Sequence, residues 1–113
     1  MVSCQIVRPL PHPALDDLRL PDVLFALSDP HRLHIVRTLA EQGELACAAV
    51  GLPLSKSACS RHYKTLRECG LIRMRPHGTA CLNSLRKRDL EQRFPGLLKA
   101  VLRSATKDAN AKS

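Results

Sequence analysis

The order of apolar and polar positions predicts a run of short helices with one hairpin among them. Val23–Asp29 (VLFALSD) is a brief apolar segment. Pro21 ahead of it fits a first helical turn. A helix this short needs another element to pack against. Asp29-Pro30 predicts the next helix start, because Asp accepts backbone N–H groups as an N-cap and Pro loses nothing at the first helical position. Leu33, Val36, Leu39 and Ala40 then recur at helical spacing with Ile35 beside them, and Gly43 can end that helix. Glu44–Val50 (ELACAAV) reads as a further short helix, broken by Gly51-Leu52-Pro53. Ser55 is a suitable N-cap for a helix to about Cys69, and Gly70 a suitable terminator. Short helix, tight turn and second helix form a helix-turn-helix pattern.

The second of these helices has two faces. Cys59, Tyr63 and Leu66 share an apolar stripe, with Cys69 near its edge, whereas Lys56, Ser60 and Lys64 share a polar one that Ser57 and Arg61 extend. Small and cationic residues on the outer N-terminal face suit entry into a major groove. From Ile72 the chain alternates apolar and basic as far as Arg75, as a half-exposed strand does. Arg75-Pro76-His77-Gly78 fits a turn, and Thr79–Leu85 can return as the second strand. This hairpin reads as a wing. Beyond Arg86, Leu90, Phe94, Leu97, Leu98, Val101 and Leu102 form a helical apolar stripe that Pro95-Gly96 interrupts, so a break, a kink or two helices are expected. The fold class is mainly α, with a small β-hairpin wing and about five helices. Residues 1–20, with Pro9, Pro11 and Pro13, read as a flexible arm. Residues 21–105 read as one winged helix-turn-helix domain, and residues 106–113 as a disordered tail.

Composition sharpens the functional side. Hydrophobic residues make up 44% of the 113 and aromatics 3%, so the core has to be aliphatic. The net charge of +8 is concentrated. Between residues 54 and 88 the bases Lys56, Arg61, Lys64, Arg67, Arg73, Arg75, Arg86, Lys87 and Arg88 face a single acid, Glu68. One cationic segment on a near-neutral remainder is the footprint of a surface that meets a polyanion. Lys56, Ser57, Ser60, Arg61 and Lys64 are therefore the candidate groove residues, and Arg73, Arg75, His77 and Thr79 the candidate backbone contacts of the wing. Arg86, Lys87 and Arg88 serve equally as phosphate contacts or as a solvated helix start.

Met1–Pro13 has no apolar core of a secretory signal. The longest apolar-looking run, Leu45–Leu54, contains Gly51 and Pro53 and is too short to cross a bilayer. A cytoplasmic protein without membrane contact is expected. Five cysteines with no C-x-x-C pair argue against a disulfide framework. Cys59, Cys69 and Cys81 read as small hydrophobes. Cys4 and Cys47 form the one thiol pair that a folded-over arm would bring together as a metal or redox site. His31 and His34 have chelating spacing but no evident third ligand. His62 lies between the two faces of the motif helix, and His12 belongs to the arm. No nucleophile elbow or glycine-rich phosphate loop is present, so an enzyme is not expected, nor a cofactor.

Two blocks resemble the ArsR/SmtB family of winged-helix repressors: LFALSDPHRLHIVRTLAEQGE, Leu24–Glu44, and LSKSACSRHYKTLRECGLI, Leu54–Ile72. The likeness runs over roughly residues 21–105. It implies a homodimer paired through the first and last helices, and repression of a double-stranded operator until an effector weakens binding. The family's thiolate pair on the first motif helix is missing, since Ala46 and Ala48 stand in its place with Cys47 between them. Its Asp/His set on the last helix is missing too, because residues 86–113 contain no His. The effector stays unassigned. The alternative reading is a winged helix that binds RNA or protein without operator specificity. A cysteine-dependent enzyme is the most distant.

Overall fold

The computed structural model describes residues 10–112. A 3-10 turn at Leu15–Asp17 leads into α1 (Leu20–Leu27) and α2 (Pro30–Gln42). Asp29 caps α2 as expected, its Oδ2 accepting the N–H groups of His31 at 2.9 Å and Arg32 at 3.1 Å. A short strand β1 (Leu45–Ala46) and helix α3 (Cys47–Val50) precede α4 (Lys56–Glu68). The hairpin strands β2 (Ile72–His77) and β3 (Ala80–Leu85) follow, then α5 (Lys87–Arg93) and α6 (Leu97–Lys112). The sheet is antiparallel in the order β1-β3-β2. The core is aliphatic, drawing Val23 and Ala26 from α1, Ile35, Val36 and Leu39 from α2, and Leu66 from α4. Leu71, Ile72, Leu90 and Leu98 join it, with Tyr63 as a fully buried aromatic.

This is a winged helix-turn-helix with six α-helices among the described residues rather than five, because Pro95-Gly96 divides the terminal stretch into α5 and α6. Four other expectations need correction. The segment read as a helix over Glu44–Val50 begins as strand: Leu45 and Ala46 pair with Asn83 and Leu82, and Asn83 Nδ2 donates to the Leu45 carbonyl at 3.1 Å. Pairing with the free edge of β3 outweighs the helical preference of the alanines. The wing turn lies later than Arg75–Gly78, with Gly78-Thr79 as its loop and Pro76 inside β2, opposite Cys81. Pro76 is tolerated because β2 is an edge strand and this register points its missing N–H away from the sheet. Residues 106–112 are helical, with Ala105 buried and Ala109 half-buried on the packed side of α6. Finally, the arm is not free where it is described: Leu18 is 1% exposed, and Leu10 and Leu15 pack against the core. Its first nine residues lie outside the described part.

Candidate nucleic-acid interface

Helix α4 owes its position to its caps and its inner face. Ser55 Oγ accepts the N–H of Ala58 at 3.2 Å, the N-cap the sequence predicts. Gly70, at φ +88°, ends the helix where an L side chain would be strained. Tyr63, Leu66 and the aliphatic stem of buried Arg67 face inward. The outer face then follows from helical periodicity. Lys56, Ser57, Arg61 and Lys64 are exposed and Ser60 is half-buried beside them. Lys56, Arg61 and Lys64 have no ion pair among the described residues. The first turn of α4 carries no acid, so nothing there repels an anion.

Two layers behind α4 fix its orientation. Arg32 of α2 is nearly buried and donates Nε to the Ala26 carbonyl at 2.8 Å and Nη2 to that of Phe25 at 3.1 Å. A cation placed at the last carbonyls of α1 complements that helix end. Its Nη1 reaches His62 Nδ1 on α4 at 3.3 Å. Arginine has only donors, so Nδ1 accepts and the ring is neutral with its proton on Nε2. Burial first, then the charges of Arg32, His31 and Arg61, lowers the His62 pKa against the pull of Asp29. The 3.7 Å approach of Asp29 to the same nitrogen is therefore not an ion pair at neutral pH. His62 thus ties the motif helix to α2.

The wing exposes Arg73, Arg75, His77 and Thr79, while Ile72 and Met74 alternate inward. Two of its cations are engaged. Arg75 donates Nε and Nη2 to Glu44 at 2.9 and 2.8 Å in a two-bond pair, and Arg73 Nη2 lies 3.4 Å from Asp89. Glu44 was not singled out by sequence, since it lies 31 positions from its partner. Of the three bases after β3, Lys87 and Arg88 are exposed, but Arg86 is buried and serves the structure. It pairs with Asp89 at 2.9 Å and donates Nη1 to the Pro13 carbonyl at 2.8 Å.

The remaining candidates do not converge. Cys47 is half-buried and accepts from Asn83 Nδ2 at 3.4 Å, whereas Cys4 lies outside the described residues. Cys59 and Cys69 are half-buried and Cys81 is buried. Burial pushes the Cys69 thiol pKa up, away from the thiolate form a reactive site needs. His34 is exposed, and His31 faces the His62 ring at 5.7 Å. Among the described residues no three His, Cys, Asp or Glu side chains gather as metal ligands. No described helix is long and apolar enough to cross a membrane.

No protein-family model matches the chain. Over 89 residues it is 39% identical to YceK of Bacillus subtilis (strain 168), described as an uncharacterized HTH-type transcriptional regulator. That match takes in 76% of this chain and 89% of the relative. Among solved structures, an ArsR-like transcriptional regulator from Rhodococcus sp. RHA1 is similar with a TM-score of 0.58 at 25% identity, covering 82% of this chain and 89% of that one. The transcriptional repressor BigR from Xylella fastidiosa gives 0.55 at 25% identity, over 66% and 85% of the two chains. HlyU from Vibrio cholerae N16961 gives 0.54 at 26%, over 66% and 89%.

Proposed function

The chain belongs to the ArsR/SmtB family of winged helix-turn-helix transcriptional regulators, and from that premise we propose that it is a homodimeric repressor that reads a duplex operator with α4. It is a DNA-binding regulator and not an enzyme. The observation that carries the finer reading is the outer face of α4, where three exposed cations without acid partners among the described residues surround two small serines. Lys56, Ser57, Ser60, Arg61 and Lys64 enter the major groove in this reading. Arg73, Arg75, His77 and Thr79 of the wing contact the flanking backbone. Phosphate contacts supply most of the affinity and position the helix, while base-edge contacts supply specificity.

The stretch from α1 through α6 forms the unit that binds and pairs in this reading. Pairing uses α1 and α6, where Leu20, Leu24 and Phe25 on α1 are 42, 47 and 59% exposed. Large apolar side chains left in water on one helix favour association. A two-fold axis between such chains sets two copies of α4 about one DNA turn apart, roughly 34 Å. Release by an effector follows the family. The ligand is unassigned and no cofactor is required. The protein works in the cytoplasm, where its DNA is.

Arg61→Ala tests the placement of α4. Removing one good side-chain contact should weaken specific operator binding by roughly 1–3 kcal/mol. A gel-shift titration that finds affinity unchanged contradicts the placement.

A further inference from the structure

The segment Leu10–Leu18 grips both halves of the DNA-binding surface from behind. Pro11 and Pro13 favour an extended backbone in the residues before them. Ala14 is extended as well, at φ −69° and ψ 162°. The carbonyls of Pro11, Pro13 and Leu18 are not used within the segment's own turn, and three arginines collect them. Arg67, on the inner face of α4, donates Nη1 to the Pro11 carbonyl at 2.6 Å. Arg86, at the start of α5, reaches the Pro13 carbonyl, and Arg93 of α5 donates Nη2 to the Leu18 carbonyl at 2.7 Å. Leu18 fills the space above Gly70, where a Cβ would overlap its Cδ2.

Between these contacts His12 Nε2 accepts the backbone N–H of Met74 at 3.0 Å. Met74 belongs to β2, an edge strand, and the hairpin register turns this N–H away from β3. The imidazole thus satisfies a donor that the sheet leaves open. We propose that Leu10–Leu18 is a strap that sets the angle between α4 and the wing, with the neutral His12 ring as its latch, so that protonating His12 loosens the DNA-binding surface. The proposal rests on the DNA-binding reading above.

A protonated ring carries N–H on both nitrogens and has no acceptor to offer Met74. The charges that face it are cationic: Arg67 from α4, Arg73 from β2 and Arg86 from the start of α5. Asp89 pairs with Arg73 and Arg86 and offsets part of that charge. Burial first, then these three arginines, lowers the His12 pKa below the ordinary histidine value, and the Leu10 backbone pulls the other way. A pKa lowered on docking means that docking is fully stable above the ordinary value. That stability is lost as pH falls through the lowered one.

The test uses the full chain as wild type, His12→Gln and His12→Ala. The probe is a labelled duplex that the wild type enriches from a random library. Nitrogen NMR of the imidazole at neutral pH should show the proton on Nδ1, with Nε2 accepting. Glutamine offers an oxygen acceptor that does not titrate, so His12→Gln should bind the duplex about as tightly as wild type. His12→Ala should bind roughly fivefold or more weakly, the worth of one lost hydrogen bond. From about pH 8 to about pH 5.5 the wild type should lose affinity relative to His12→Gln, because the other histidines are common to both. If His12→Ala fails to fold by thermal unfolding, the wild-type and His12→Gln profiles decide. Identical profiles, or a proton on Nε2, overturn the strap while duplex binding persists. A wild type that enriches no duplex overturns the DNA-binding reading instead.

Discussion

Glu44 holds the Arg75 guanidinium by two hydrogen bonds on the open surface of the wing. Such a pair adds little to stability, since solvent screens both partners. In the proposed reading its consequence is for binding: a phosphate would have to compete with Glu44 for the wing cation. The Arg75 hydrogen bond lowers the Glu44 pKa, so the acid stays charged below the usual carboxylate range and the competition persists at every physiological pH. Glu44→Gln should therefore tighten binding to any duplex. It should also steepen the dependence of log K on log salt by about 1, the increment for one more phosphate neutralised. Fluorescence anisotropy at several salt concentrations measures both. An unchanged slope would show that Arg75 does not meet the backbone. By contrast, Lys56, Arg61 and Lys64 have no such internal competitor among the described residues.

At the scale of elements, the caps decide. Asp29 Oδ2 takes two N–H groups at the start of α2, and that start lies against both α1 and α4. Asp29→Ala should cost about 1–2 kcal/mol of folding stability, readable by urea unfolding near pH 7. Burial raises the Asp29 pKa, but the Arg32 and His31 N–H groups and the charges of His62 and Arg32 outweigh it, so the net shift is downward. The sign follows. The contribution of Asp29 is complete above its ordinary pKa and disappears as pH falls through the lowered one, so the gap between the two proteins should close in acid. A gap independent of pH would contradict the capping role.

Such caps also explain what was legible beforehand. Asp29-Pro30, Gly43, Ser55 and Gly70 bound α2 and α4 in the sequence and in the structure, because capping is local chemistry. β1 was not legible, because Leu45–Ala46 is strand only through Asn83 and Leu82, more than thirty positions away. Neither was the strap. Pro11 and Pro13 announce the absence of a regular α-helix, but nothing local tells that Arg67, Arg86 and Arg93 will hold its carbonyls. The same three bases were indistinguishable in the sequence from bases that face outward. Burial separates Arg67 and Arg86 from Arg61 and Lys64, and burial is a tertiary property.

The described residues form a plate of 38 × 37 × 21 Å, about two helices thick. A plate this thin has much surface for its volume, and part of that surface is the apolar side of α1. Pairing covers it. Pairing would also double a cationic surface that one chain presents once, since α4 and the wing carry most of the excess charge. A symmetric pair must then read a symmetric site. Selection from a random duplex library, followed by sequencing, measures this directly. The account predicts an inverted repeat whose half-sites lie about one helical turn, roughly 10 base pairs, apart. Enrichment of a single asymmetric half-site, or of no sequence at all, would contradict it.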